Sequence, residues 1–171
     1  MIKEKQVLEQ ILDAREKRAE KQRELINIYQ NTLISFTLNI PGVEKQNPTF
    51  TNIHKKGIEL LEEELSKQNI KLLCKIVQTT ADGDEAFLVV DAGQWVIKRI
   101  TTAIEESHRL GRLFDFDVIN KDGEQVSRSG IGLHLRKCLL CNNSAKACGR
   151  SRNHSVSELL DKIYELIDHE K

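Results

Sequence analysis

The spacing of apolar and polar positions divides the chain into helical and extended stretches without internal repeats. Ile2 to Tyr29 contains no Gly or Pro and sets Leu8, Ile11, Leu12, Ala19, Leu25 and Ile26 in a loose stripe of helical period, which predicts one long helix. From Leu33 to Ile40 the period falls to two. Ile34, Phe36, Leu38 and Ile40 share one face and Ser35, Thr37 and Asn39 the other, and Pro41-Gly42 ends this half-buried strand. Asn47 before Pro48 is a helix-start pair, and Ile53, Gly57, Leu60, Leu61 and Leu65 carry the helix to about Gln68.

Lys71 to Thr79 and Glu85 to Asp91 are β-rich runs joined through Ala81-Asp82-Gly83-Asp84, where Asp-Gly suits a tight hairpin. Trp95 to His108 reads as a helix with Val96, Ile100, Ala103 and Ile104 on its apolar side, and Arg112 to Ile119 as a strand. Lys121-Asp122-Gly123 turns the chain towards an expected short fifth strand near Val126 to Ser129. Ser155 with Glu158 makes a capping box before the stripe Val156, Leu159, Leu160, Ile163, Leu166 and Ile167 of a last helix.

The order of elements from Leu33 to Ile119 predicts an α+β fold, a ferredoxin-like split βαβ sheet (βαββαβ) with a long N-terminal helix and a C-terminal helix. In such a fold helices cover one sheet face and leave the other available for a site. A length of 171 residues with 39% apolar content suits a single domain over 1–171. Its expected parts are an N-terminal helix at 1–30, a βαββαβ core at 33–119, and a basic, cysteine-containing segment with the C-terminal helix at 126–171.

Charge changes this picture locally. Lysine plus arginine and aspartate plus glutamate each number 26, so net charge announces neither nucleic acid nor an anionic membrane as partner. The first helix mixes seven basic residues with six acidic ones between Lys3 and Glu24 and reads as a solvated face laced with salt bridges. From Gln125 to Ser157, by contrast, there is no acid, while Arg128, Arg136, Lys137, Lys146, Arg150 and Arg152 supply six positive charges. Such a block is either a solvated basic surface or an anion site. The charged start Met1-Ile2-Lys3-Glu4-Lys5 and the lack of any run of about 18 apolar residues lead to the expectation of a cytoplasmic protein. Its four cysteines should then stay reduced, with Cys74 packed in the core.

Two constellations carry chemistry. In the strand Arg112 to Ile119, Phe114, Phe116 and Val118 share one face and Asp115 and Asp117 the other. An alternating surface strand can carry two solvated acids. Brought together away from water, two carboxylates need a cation, and magnesium prefers few carboxylates plus substrate phosphates. The neighbouring Arg112, Arg128, Arg136, Arg150 and Arg152 can fork onto phosphoryl oxygens. The second constellation, Cys138-x2-Cys141-x6-Cys148-x5-His154, has the ligand count of a closed structural zinc site, with reduced thiols and a redox group as the other readings. His54, His108, His134 and His169 are expected to be structural or solvated.

Three blocks together resemble one family. They are Ile34-Ser35-Phe36-Thr37-Leu38-Asn39-Ile40-Pro41-Gly42, Gly111-Arg112-Leu113-Phe114-Asp115-Phe116-Asp117-Val118, and Arg136-Lys137-Cys138-Leu139-Leu140-Cys141 through Cys148-Gly149-Arg150-Ser151-Arg152-Asn153-His154. The chain is similar over nearly its whole length to the citrate lyase holo-[acyl-carrier-protein] synthases, the apo-citrate lyase phosphoribosyl-dephospho-CoA transferases. The aspartate block is shared in outline with the malonate decarboxylase counterpart, whereas the third block favours citrate lyase.

The resemblance implies a nucleotidyltransferase-type reaction. A serine of the apo acyl carrier protein attacks the triphosphate of 2'-(5''-triphosphoribosyl)-3'-dephospho-CoA, and pyrophosphate leaves. It implies catalytic roles for Asp115 and Asp117, holding Mg2+. Arg112 and Arg128 are expected near the reacting phosphate, and Arg136, Arg150 and Arg152 around the rest of the substrate. Asp91 is a candidate third carboxylate. A non-catalytic adaptor for the carrier protein is the rival from another class. A zinc-stabilised nucleic-acid binder is disfavoured by neutral charge and only eight aromatic residues.

Overall fold

Alternation along the strands sorts two apolar clusters onto opposite faces of one sheet. The computed structural model describes residues 2–169, without the side chains of residues 2–4, so the ends of the expected 1–171 unit lie outside the described residues. The elements are α1 (Ile2–Tyr29), β1 (Thr32–Leu38), α2 (Pro48–Lys67), β2 (Leu72–Thr80), β3 (Gly83–Val90), α3 (Gln94–Ser107), β4 (Phe114–Ile119), α4 (Ala145–Ser151) and α5 (Val156–Asp168). Short 3-10 turns lie at Arg109–Leu113 and Ser129–Ile131. The strands form one sheet in the order β2-β3-β1-β4, and each neighbouring pair is antiparallel.

Local signals set the boundaries. The Asn47 side chain accepts from the backbone N–H of Phe50 ahead of Pro48, and Ser155 and Glu158 complete their capping box. Gly83, at φ +99°, allows the two-residue turn between β2 and β3. The larger cluster unites Ile34 and Phe36, Ala86, Leu88 and Val90, and Phe114, Phe116 and Val118 with apolar residues of α2, α3 and α5. His54 is buried within it, stacked on Phe36 at 4.6 Å, and serves the core as expected.

The second face is not open, contrary to expectation. Leu25 and Ile26 of α1 pack there with Leu33, Phe87, Val89 and Ile119, and Cys74 adjoins them. The helical stripe is loose because α1 is partly buried: Ile11, Ala14, Leu25 and Ile26 are covered while Leu8 and Leu12 stay half exposed. Nor is its mixed charge wholly solvated. Arg15 forks onto Asp82 at 2.9 and 3.1 Å, and Arg18 bridges Asp82 and the buried Glu85.

Two further expectations are corrected. No fifth strand forms at Val126 to Ser129. Only an isolated bridge pairs Ile119 with Gln125; Asn120 Oδ1 accepts from Asp122 and Glu124 to hold the turn, and Arg128 is drawn away to Glu105 and Glu106. The buried side of α3 runs through Ile97, Ile100, Thr101 and Ile104, leaving Val96 46% exposed. A helix, α4, also forms in the cysteine segment, capped by the Ser144 side chain.

Gly111 couples α3 to β4. A Cβ there would lie 2.4 Å from the Glu105 carbonyl oxygen, so glycine alone lets the 3-10 turn fold back on the end of α3 and start β4 beside Glu105.

Candidate active site at the edge of the sheet

β4 is an edge strand, and an exposed edge presents unpaired backbone groups. Here side chains cap them. Glu105 Oε1 accepts from the Phe116 N–H at 3.1 Å, Lys98 Nζ donates to the Phe116 carbonyl at 3.4 Å, and Arg136 Nη2 donates to the Phe114 carbonyl at 2.6 Å. Farther along, Val126 N–H donates to the Val118 carbonyl at 2.8 Å.

Asp115 and Asp117 project together from the opposite face of this strand, in register with Thr37 and Ser35 of β1. Gln125 donates to Asp117 Oδ1, and no donor among the described residues hydrogen-bonds the Asp115 carboxylate. Burial raises both carboxyls above their ordinary range. For Asp115, Arg136, Lys98 and Arg18 oppose the rise while Glu105 adds to it. Asp117 is pushed up to about 6 by burial and then by Asp115. Two half-buried acids, repelling one another and bound by no arginine, form a hard-oxygen set that fits a divalent cation.

At the same strand edge, guanidinium groups gather on one buried carboxylate. Glu105, 5% exposed, carries both Arg128 and Arg136, and Arg128 also reaches Glu106 at 2.8 Å. Arg112 donates to the carbonyls of Lys137 and Cys138 at 2.7 and 3.0 Å. Burial, followed by repulsion from Arg136 and Arg128, pulls its guanidinium below the usual range. Thus Arg112, Arg128 and Arg136 converge with one buried carboxylate among them.

A cavity of about 620 Å³ opens beside this group, lined in part by Arg112, Arg136, Arg152, Asn39 and Leu159. Its size lies within the range of small-molecule sites. Arg136 belongs to this cavity and also acts on Asp115. Arg128 and Arg150 do not line it; Arg150 is exposed on α4. Asp91 is exposed beyond the end of β3 that pairs with Thr32, whereas Asp115 pairs with Thr37, so it joins neither group.

Cys138, Cys148 and His154 form another part of the cavity wall. With Cys141, their ligand atoms all lie within 4.8 Å of one another, a grouping that could hold a metal ion such as zinc. Burial alone would raise the Cys138 thiol, but the N–H groups of Leu140 and Cys141 and the neighbouring thiols bring it to about 7. Burial, then the Cys138 and Cys141 thiols, push Cys148 up to about 11.

Lys98, Glu105 and Gln125 were not singled out from sequence. Lys98 and Glu105 stand seven apart, two helical turns, beside the apolar stripe of α3. A buried lysine and glutamate in that register are the signal that could have marked them. Among the described residues no helix is long and apolar enough to cross a membrane.

Comparison with known proteins identifies the family. The family model of CitX, apo-citrate lyase phosphoribosyl-dephospho-CoA transferase, matches residues 6–170. The probable apo-citrate lyase phosphoribosyl-dephospho-CoA transferase of Vibrio cholerae serotype O1 (strain M66-2) is 38% identical over 160 residues, covering 93% of this chain and 90% of that protein. The apo-citrate lyase phosphoribosyl-dephospho-CoA transferase of Escherichia coli (strain SE11) is 32% identical over 159 residues, 93% of this chain and 87% of its own. Protein CitXG of Haemophilus influenzae (strain ATCC 51907 / DSM 11121 / KW20 / Rd) is 36% identical over 159 residues, which span 93% of this chain and 34% of that longer protein. With a match that runs through the aspartate strand, the arginine cluster and the cysteine segment, the chain belongs to the apo-citrate lyase phosphoribosyl-dephospho-CoA transferase family of enzymes.

Proposed function

We propose that this protein transfers the phosphoribosyl-dephospho-CoA unit of 2'-(5''-triphosphoribosyl)-3'-dephospho-CoA to a serine of the apo acyl carrier protein of citrate lyase, at the β4 edge. The reading is of a cytoplasmic, single-domain transferase built on a ferredoxin-like frame, which the βαββαβ order and the β2-β3-β1-β4 sheet support. One observation carries the assignment of the site. Arg136 acts on the Asp115 carboxylate and, with Arg112 and Arg152, lines a cavity of about 620 Å³, where Arg112 is repelled by Arg136 and Arg128, a cationic wall that a polyphosphate would satisfy.

Asp115 and Asp117 are the residues that would hold Mg2+. When bound there, the ion supplies neutralisation of the charge that builds on the departing pyrophosphate. The guanidinium groups of Arg112 and Arg136 fork onto the phosphoryl oxygens, and Glu105 keeps Arg128 and Arg136 in position. Arg152, on the cavity wall, and the exposed Arg150 meet the remaining anionic groups of the substrate. The serine Oγ–phosphorus bond forms as the bond to pyrophosphate breaks, and the serine proton passes to solvent. A structural zinc ion at the Cys138, Cys141, Cys148 and His154 cluster belongs to the same reading as part of the cavity wall.

The test is the mass of purified apo carrier protein before and after incubation with enzyme, precursor and magnesium. A gain equal to one phosphoribosyl-dephospho-CoA unit is expected. An unchanged citrate lyase carrier beside a modified malonate decarboxylase carrier would contradict the acceptor, and no modification of either would contradict the activity.

A further inference from the structure

The cluster of Cys138, Cys141, Cys148 and His154 has a chemistry that the transfer step leaves unused. Its four ligand atoms all lie within 4.8 Å of one another, close enough to gather around one metal ion. Cys141 Sγ and Cys148 Sγ are 3.8 Å apart. A disulfide needs about 2.05 Å. Two ligands of a tetrahedral ion with Zn–S bonds of about 2.3 Å stand about 3.8 Å apart. Backbone N–H groups of Leu140 and Cys141 point at the Cys138 sulfur, so the turn that carries the first two cysteines already solvates a thiolate. His154 Nε2 is buried with no hydrogen-bond partner, a costly state for an imidazole nitrogen that a metal bond would relieve.

Charge and stability point the same way. The stretch from Gln125 to Ser157 has no acidic side chain. Three thiolates and a neutral imidazole around a dication leave one net negative charge, which places an anion amid Lys137, Lys146, Arg150 and Arg152. The seven-residue α4 that delivers Cys148 is too short to be stable through its own hydrogen bonds. Its two ends lead to the other ligands, Cys141 before it and His154 after it.

We propose that Cys138, Cys141, Cys148 and His154 bind one zinc ion in a closed tetrahedral site, and that this ion fixes the cavity wall that positions Arg112 and Arg152. Four protein ligands leave no open position, so the ion is structural. The link to the cavity is direct: Arg112 donates to the carbonyls of Lys137 and Cys138, and Arg152 is the left-handed cap of α4 between Cys148 and His154. Without zinc, the turn, α4 and both arginines lose their common anchor, and the cavity is formed in only a fraction of molecules.

The test begins with the zinc content of the full chain purified without chelator, expected at one ion per chain. Cys74→Ser, outside the cluster, keeps it, while Cys141→Ser and His154→Ala lose it. To keep the test independent of how those variants fold, the metal-free wild-type chain is also titrated with cobalt(II). Tetrahedral, thiolate-bound cobalt absorption is expected, abolished by one equivalent of zinc, with new hydrogen-exchange protection confined to residues 137–155. A folded chain without zinc and without that absorption, or full zinc in Cys141→Ser, overturns the site.

The second arm, which rests on the transferase reading, measures dephospho-CoA binding to zinc-loaded and metal-free protein. If the wall is formed in about a tenth of metal-free molecules, binding weakens about tenfold. Equal binding overturns the coupling. A zinc-loaded protein that modifies no carrier would instead contradict the transferase reading and leave the zinc site standing.

Discussion

Burial, reinforced by the Asp115 carboxylate beside it, holds Asp117 at about 6 against an ordinary 3.8. The folded chain therefore keeps this proton more tightly than the unfolded one. The stability this group contributes is whole below about pH 3.8 and is lost as pH rises through about 6. Urea unfolding of metal-free protein should accordingly show wild type losing stability relative to Asp117→Asn across that interval, with the Asn variant the more stable at neutral pH. Magnesium should raise the melting temperature well above pH 6 and have little effect near pH 4. A wild-type profile parallel to that of Asp117→Asn would contradict the assignment. The pairing of Asp115 with Asp117 was legible in the sequence because strand alternation has a fixed period. Their environment was not: Gln125 and Lys98 arrive from a turn and a helix, and no local pattern reveals which distant side chain will meet a strand edge.

At the scale of elements, α3 does two things that its apolar stripe did not announce. It packs Ile97, Ile100 and Ile104 into the main cluster, and it lends Lys98 and Glu105 to the backbone of β4. The edge strand is thus closed by side chains, which explains why the chain after Gly123 forms a single bridge instead of a fifth strand. Glu105 is the joint: it takes the Phe116 N–H, Arg128 and Arg136 together. Removing its charge leaves the partly buried Arg136 without an ion-pair partner and Arg128 with only the exposed Glu106, and Glu105→Gln should cost about 3 kcal/mol in urea unfolding. Loss of under about 0.5 kcal/mol would show that the ion pairs are no more than surface contacts. Helix ends were read well from sequence where a side chain caps them, as at Asn47 and Ser155. The covering of the second face by α1 was not, since a helix with Leu8 and Leu12 half exposed and Leu25 and Ile26 buried gives a blurred period.

For the molecule as a whole, the frame is an α+β sheet with helices on both faces, and the proposed site sits at one margin of it. The sheet carries the aspartates, α3 carries the carboxylate that holds two arginines, and the cysteine segment with α5 encloses a cavity lined by Arg112 and Arg136 but by neither aspartate. The acid-free block read from sequence as a place for an anion meets Glu105 in the fold, and still leaves Arg112 repelled by its two neighbours. Composition alone could not name the substrate, because a polyphosphate site looks alike whatever is attached to the phosphates. Family membership implies that name, and the geometry offers the candidate residues. The central claim, that Asp115 and Asp117 act together at the β4 edge, is tested most directly by the rate of carrier-protein modification in Asp115→Asn and Asp117→Asn at saturating magnesium, with circular dichroism to verify folding. The account predicts folded variants slowed by about a hundredfold or more, the scale at which loss of transition-state charge stabilisation is felt. Either variant turning over at near wild-type rate while folded would contradict it.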